Sequence, residues 1–284
     1  MQNKYLILGA NGQLGKQFTK DLTVRNKTVF APDEKDCDIT SLETLSRFID
    51  SVKPSVIINC AAYNAVDLAE QQIETASLIN AIAVKNIATL CNRKNILFVH
   101  YSSDYIFDGT KNNLYVESDA PNPLNVYGRT KRGGEEAVLS YAEKYLLFRT
   151  SWSFGNGTQN FIHKMLLWSE KKSVLKLTAD EVSVPTSTID LVDITLRSID
   201  KGLTGLYHLT NSDYASRYEW GRYIAKKLFL KSTIIPVPMS AFPSPAQRPL
   251  FSAMSNQKLQ DDLGITIPDW RDAVDRFLKE YPIT

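Results

Sequence analysis

Hydrophobic residues in this chain fall into short unbroken runs. Between the runs they recur every third or fourth position. Residues 5–8, 28–31, 56–60, 96–101 and 145–150 are compact, β-rich runs and are predicted strands. Leu14, Phe18 and Leu22 lie four apart and predict a helix over residues 15–24 with one apolar face. Leu42, Leu45 and Ile49 are the expected inward face of a helix over 41–52, and further helices are predicted over 70–92 and 124–145. Strands alternating with helices predict a parallel sheet covered on both faces, an α/β doubly wound, Rossmann-like fold. The unbroken runs Val56-Ile57-Ile58 and Ile96-Leu97-Phe98-Val99 suit strands buried on both sides. Beyond about residue 153 the alternation loosens, and Pro236, Pro238, Pro243, Pro245 and Pro249 predict a long constrained loop region. The pattern therefore predicts a dinucleotide-binding domain over 1–152, to which the chain returns around 186–212. A smaller domain, mainly 153–284, is expected over the carboxyl edge of the sheet, where such folds bind ligands.

The loop after the first run reads Gly9-Ala10-Asn11-Gly12-Gln13-Leu14-Gly15. This GxxGxxG spacing differs from the GxGxxG dinucleotide fingerprint, and an ordinary glycine turn reads the same way. Its place between the first strand and the first helix is the one a dinucleotide loop requires. Glycine lets the backbone approach a pyrophosphate whose charge sits on the helix N-terminus. Asp33 follows the second run and can accept from adenosine ribose hydroxyls, or be a solvated acid of the cluster Asp33-Glu34-Lys35-Asp36. A carboxylate there favours NAD over NADP, while Lys35 or Arg25 can accommodate a 2′-phosphate. NADPH and NADH both stay open.

Tyr127 and Lys131 form a Tyr-x-x-x-Lys pair on one face of the predicted helix that Pro121 and Pro123 introduce. A free tyrosine, with a pKa of about 10, is a poor acid–base at neutral pH. A neighbouring ammonium is expected to lower that value. The pair alone also matches two ordinary helix-surface residues. A third element, Ser102-Ser103-Asp104, ends the fourth predicted strand at the carboxyl edge. A hydroxyl there can bond a substrate carbonyl and steady the alkoxide that develops from it, or simply cap a turn. Glycine loop, edge serine and Tyr-x-x-x-Lys, in that order on alternating elements, point to nicotinamide-dependent carbonyl chemistry. His163 and His208 are read as structural residues, and Phe161, Met165 and Trp168 as a core stripe.

Composition narrows the classes. The 284 residues are 43% hydrophobic and 23% charged, ordinary for a globular protein. With 33 basic against 31 acidic residues the net charge is +2, which gives no electrostatic case for nucleic acid or an anionic membrane. No apolar run is long enough to span a bilayer, and no signal peptide is recognised at the N-terminus. Cys37, Cys60 and Cys91 are odd in number and lack CxxC spacing, and the three histidines are scattered. Reduced cysteines, no metal site and a cytoplasmic location are expected.

From the glycine loop to Arg248-Pro249 the chain resembles the extended short-chain dehydrogenases, and within them the dTDP-4-dehydrorhamnose reductases. The motifs are GANGQLG over 9–15, NCAAYNAVDLAE over 59–70, HYSSDYIFDG over 100–109, PLNVYGRTK over 123–131 and RTSW over 149–152. Asn160-Phe161, Pro185-Thr186 and Arg248-Pro249 follow. The resemblance implies that Gly12, Gln13 and Leu14 cradle the pyrophosphate, with Asp33, Asp38 and Ile39 along the adenosine. It implies Ala61, Ala62 and Tyr63 on the path to the nicotinamide ribose, with Tyr101 near the ring. Tyr127 would donate the proton, and Lys131 would bind the ribose and tune Tyr127. Ser103 and Asp104 would contact the sugar, Trp152 would wall its pocket, and Arg248 would pair with the substrate pyrophosphate. Ser103 stands where threonine is usual, Cys60 for alanine, Glu181 for glutamine and Ser183 for glycine. The implied reaction is NAD(P)H-dependent reduction of the C4 keto group of dTDP-4-dehydro-6-deoxy-L-mannose to dTDP-L-rhamnose. A nucleotide-sugar substrate is thus the implied partner, and a homodimer is one assembly it allows. Other nucleotide-sugar reductases, dehydratases and epimerases, and a non-catalytic NADP-binding regulatory subunit, share the fold. The absence of a glutamate beside Ser103-Asp104-Tyr105 disfavours a dehydratase, which needs an extra acid–base pair.

Overall fold

The computed structural model describes residues 3–280; Met1, Gln2 and residues 281–284, assigned above to the ends of the two expected domains, lie outside it. The first half runs β1 (Lys4–Leu8), α1 (Gln13–Val24), β2 (Thr28–Phe30), α2 (Leu42–Val52) and β3 (Val56–Asn59). Short helices α3 (Val66–Ala69) and α4 (Ile73–Ser77) lead through a π-helical turn (Leu78–Ile82) into α5 (Ala83–Arg93). Then come β4 (Leu97–Ser103), α6 (Val126–Tyr141) and β5 (Tyr145–Thr150). The second half contains β6 (Ser153–Phe154), α7 (Phe161–Lys171), β7 (Val174–Thr178), β8 (Val182–Ser183), β9 (Thr186–Ser187), α8 (Thr188–Asp200) and β10 (Gly205–His208). It ends with β11 (Ala215–Ser216), α9 (Arg217–Lys227), β12 (Thr233–Val237), α10 (Gln257–Leu263) and α11 (Trp270–Glu280).

Six parallel strands form the main sheet in the order β10-β5-β4-β3-β1-β2. Side chains alternate across it. Tyr5, Ile7, Val56, Ile58, Val99, Leu146 and Phe148 pack on one face with Phe18 and Leu22 of α1 and Leu191, Val192 and Leu196 of α8. Leu6, Leu8, Ile57, Phe98 and Leu147 pack on the other with Leu45, Ile49, Ile87 and Val138. Burial on both faces is why the strands read as unbroken apolar runs. The strand order reverses between β1 and β3, and a crevice opens there at the carboxyl ends. A separate core of Phe154, Ile162, Met165, Trp220, Ile224, Trp270, Val274 and Phe277 lies in the later part of the chain. In between, α8 and β10 join the main sheet, and Leu259 and Ile267 add to its core.

Several expectations are corrected. Residues 70–92 are not one helix: a break follows α3, and the π turn widens the continuation. That turn points the buried Asn80 inward, where its side chain accepts from the Tyr63 N–H (2.8 Å) and donates to the Tyr63 carbonyl (3.0 Å) and to Thr130 Oγ1 (3.0 Å). A π turn at a functional site is a recurrent device. The helix expected over 124–145 is shorter at both ends: the Asn125 side chain caps its start by accepting from the Gly128 N–H at 2.7 Å, and Ala142 turns extended at its end. Leu42 is 51% exposed at the start of α2, outside the core that Leu45 and Ile49 enter. Pro236 lies in β12, paired with Leu177 of β7 in a two-stranded sheet, an edge position that tolerates a missing N–H.

Phe18 is fully buried between α1 and the sheet. Phe18→Ala is expected to lower unfolding free energy by about 3–5 kcal/mol in urea titrations; a loss below 1 kcal/mol would contradict its place in the core.

Candidate active site

The crevice at the strand reversal is a cleft of about 200 Å³ lined by Gly12, Gln13, Leu14, Asn59, Cys60, Ala61, Ala62, Asn64, Tyr101, Ser102, Ser103, Asp104, Tyr127, Lys131, Thr150 and Trp152, among others. The glycine loop reaches it because Gly9 adopts φ +72° and packs against the chain after β3. A Cβ there would lie 2.5 Å from the Ala61 nitrogen. Gly12 caps α1 and brings no side-chain hydrogen bond, so the first N–H groups of the helix face outward with positive potential.

Tyr127 sits in the first turn of α6. The neighbouring Gly128 lets that turn close against the Tyr105 carbonyl, which a Cβ would strike. The Tyr127 hydroxyl donates to Asn64 Oδ1 at 3.4 Å, and its ring meets Tyr105 edge-on at 5.8 Å. Burial pushes its pKa up to about 12; a hydrogen bond with Ser103 works against this, and the Asp104 charge adds to it. The expected depression by Lys131 is not met. Lys131 turns its ammonium to the Tyr101 carbonyl at 2.6 Å. Its own pKa falls to about 8 through burial, which the Glu135 charge opposes. Tyr127 is therefore a fully protonated phenol at neutral pH.

Ser103 ends β4. Its hydroxyl donates to Asp104 Oδ1 (3.1 Å) and accepts from the Tyr105 N–H (3.2 Å). Asp104 lines the cleft, yet its carboxylate is already engaged. Oδ2 accepts from Ser183 (2.7 Å) and Ser252 (2.6 Å), so three serine hydroxyls converge on one buried acid. Burial raises its pKa, and the serine bonds counter this. Tyr101 gives the cleft its carbonyl, while its hydroxyl bonds Thr195 Oγ1 at 2.6 Å. Ser102 Oγ and Thr150 Oγ1 are buried on the cleft wall and have no partner among the described residues. Two orphan hydroxyls, a helix N-terminus with no side-chain cap and an ammonium with donors to spare fit the phosphates and hydroxyls of a dinucleotide.

Other expected residues lie elsewhere. Asp33 is exposed beyond β2, where its side chain accepts from the Lys35 (2.9 Å) and Asp36 (3.0 Å) N–H groups. Asp38 accepts from the Thr40 N–H and hydroxyl (2.8 and 2.7 Å), and Ile39 packs on the core. None of the three lines the cleft. Tyr63 does not line it either, and its hydroxyl donates to Gln72 at 3.0 Å. Arg25 is paired with Asp193 at 2.8 Å.

A larger cleft of about 1270 Å³ adjoins this one, and Trp152 lines both. Trp152 has φ +39°, a strained value for a bulky residue, and Arg217 stacks on its ring at 3.5 Å. Arg248 also lines it, bonded to Asp67 at 2.7 Å and to Ser244. Of the supposed core stripe, Met165 is buried, whereas Phe161 and Trp168 line the larger cleft. His208 is buried and structural, its pKa held at about 3 by burial and by Arg149. Asn64, Thr150, Asp67 and Arg217 are site residues that the sequence did not single out, whereas Glu181, marked above as a departure from the family pattern, does line the larger cleft. Asn64 and Asp67 lie within the 59–70 motif, but Arg217 had no local signal. Among the described residues no group of three or more His, Cys, Asp or Glu is placed to hold a metal ion. No helix among them is long and apolar enough to cross a membrane.

Residues 3–283 match the family model described as RmlD substrate binding domain. The dTDP-4-dehydrorhamnose reductase of Burkholderia thailandensis is 37% identical, over 95% of this chain and 96% of its own. That of Escherichia coli is 35% identical over 97% of each. The crystal structure of dTDP-4-dehydrorhamnose reductase from Bacillus anthracis in complex with NADP superposes with a TM-score of 0.95 at 33% identity, covering 99% of this chain and 100% of that one.

Asp104→Ala would strand three buried hydroxyls. It is expected to lower stability by about 2–4 kcal/mol in urea titrations; an unchanged midpoint would show that Asp104 does not join these segments.

Proposed function

The chain belongs to the RmlD substrate binding domain family, and from that premise we propose that it reduces the C4 keto group of dTDP-4-dehydro-6-deoxy-L-mannose to dTDP-L-rhamnose with NADPH or NADH. The observation that carries this reading is the convergence of Gly12, Gln13, Leu14, Ser103, Tyr127 and Lys131 on one cleft at the strand reversal. The full-length relatives named above and the NADP complex of a structural neighbour support it.

Reduced nicotinamide, when bound, supplies the hydride that adds to the carbonyl carbon. Tyr127 donates its hydroxyl proton to the carbonyl oxygen. A phenol held near 12 is a weak acid in water, but an alkoxide is a much stronger base, so the transfer runs downhill as charge develops. Ser103 turns its hydroxyl from Asp104 to the same oxygen and shares the developing charge. Lys131 has one donor on the Tyr101 carbonyl and others for the nicotinamide ribose. Gly9, Gly12, Gln13, Leu14 and Gly15 hold the pyrophosphate, and Ala61, Ala62 and Tyr101 shape the path to the nicotinamide. Asp33, Asp38 and Ile39 flank the adenosine on the β2 side. The nucleotide sugar occupies the larger cleft, with Trp152 as a wall and Arg248 on its pyrophosphate.

Residues 1–152, with the return over 186–212, form the cofactor domain in this reading, and most of 153–284 forms the substrate domain. The protein works in the cytoplasm as a homodimer. Exposed Leu68, Ile73, Leu78 and Ile82 on neighbouring turns support a self-association face. A monomer mass in sedimentation at micromolar concentration would overturn the dimer.

Oxidation of NADPH and NADH, followed at 340 nm with enzymatically generated dTDP-4-dehydro-6-deoxy-L-mannose, is expected for the wild type. In Tyr127→Phe it is expected to fall by about 10²–10⁴. Tight cofactor binding without turnover would replace this reading with a non-catalytic role.

A further inference from the structure

Beneath the cleft lies a second set of buried charges. Glu135 follows Lys131 by one helical turn on the buried face of α6. Arg149 of β5 grips it with both arms of its guanidinium, Nε to Oε1 at 3.0 Å and Nη2 to Oε2 at 2.8 Å. The side chains are only 4% and 3% exposed. Arg149 is itself held by the Glu117 carbonyl and His208 Nε2, each at 3.4 Å, and by the Phe107 ring at 5.2 Å. Desolvation offsets most of what such a pair gains in attraction, so stability alone is a poor account of it.

The neighbour it acts on is Lys131. Burial disfavours the ammonium, and the Glu135 charge opposes that loss. Asp104 shares the cleft but spends its carboxylate on Ser103, Ser183 and Ser252, and Glu135 is the anion that opposes the burial of Lys131. On β4, Tyr101 offers a neutral carbonyl and keeps its phenol protonated, while burial and Lys131 itself hold His100 neutral. Just after β3, burial holds the Cys60 thiol protonated. On α6, Tyr127 stays protonated, and Glu70, from the turn after α3, is spent on the Val126 N–H at 2.7 Å.

We propose that Glu135, locked in place by Arg149, is a positioning residue that keeps Lys131 in its charged, ribose-binding form at neutral pH. This rests on the cofactor-binding role given to Lys131 above. Glu135 touches neither reacting atoms nor cofactor and acts through Lys131 alone.

Quenching of tryptophan fluorescence by NADPH, titrated from neutral to alkaline pH, tests it without turnover. Wild-type affinity is expected to fall as pH rises through about 8, where Lys131 loses its proton. In Glu135→Gln the fall is expected at a lower pH than in the wild type, whereas Glu135→Asp, which keeps the charge, stays near the wild type. A fall at the same pH in wild type and Glu135→Gln overturns the proposal, even if affinity drops throughout, because a purely structural pair weakens binding alike at every pH. Should the unpaired Arg149 unfold Glu135→Gln, the double variant Glu135→Gln, Arg149→Gln takes its place. The same direction is expected, since Glu135 is the charge that opposes the burial of Lys131. A wild type that binds no NADPH overturns the cofactor reading and this proposal together; an unmoved fall in the variant overturns this proposal alone.

Discussion

Where the first turn of α6 meets the carboxyl end of β4, the two backbones approach so closely that a side chain at position 128 would strike the Tyr105 carbonyl. This contact places Tyr127 beside Ser103, and the rest of the site is arranged around it. Asn125 caps the helix and also donates to the Gln247 carbonyl at 2.7 Å, so the same turn anchors the proline-rich segment. The π turn contributes from behind: Asn80 joins the Tyr63 backbone to Thr130 of α6. Three segments distant in sequence thus fix the orientation of one phenol.

Asp104 extends that order into the second half of the chain. A carboxylate buried this deeply survives only with its lone pairs satisfied. The hydroxyls of Ser103, Ser183 and Ser252 satisfy them from three different segments. Ser183 thereby brings a buried donor from the later half of the chain to this junction. The acid then serves as a joint between the sheet edge and the walls of the larger cleft, and as a resting partner for the Ser103 hydroxyl.

The electrostatics follow from burial. Removing Tyr127 from water favours its neutral form and suits it to giving up a proton only when a strong base forms beside it. Removing Lys131 from water threatens its charge, and an anion one turn away opposes that loss. Burial is thus the largest influence on both members of the Tyr-x-x-x-Lys pair. Each group answers first to its own desolvation.

Sequence alone determined the alternating architecture, because burial of both sheet faces leaves unbroken apolar runs and covering helices leave a period near four. It also determined the glycine loop, the edge serine and the Tyr-x-x-x-Lys pair, whose spacing is local and whose order follows the sheet. It was silent where the decision is made between distant segments. Nothing near Lys131 announces that its ammonium turns to the Tyr101 carbonyl, or that Arg149 locks the neighbouring Glu135. No local pattern shows that Asp104 is shared among three serines, or that Arg217 stacks on Trp152. The break before α4 and the π turn were hidden too, since one extra residue in a helical turn leaves the apolar period almost unchanged. Periodicity records which face of an element is buried; only tertiary packing decides which polar group that face meets.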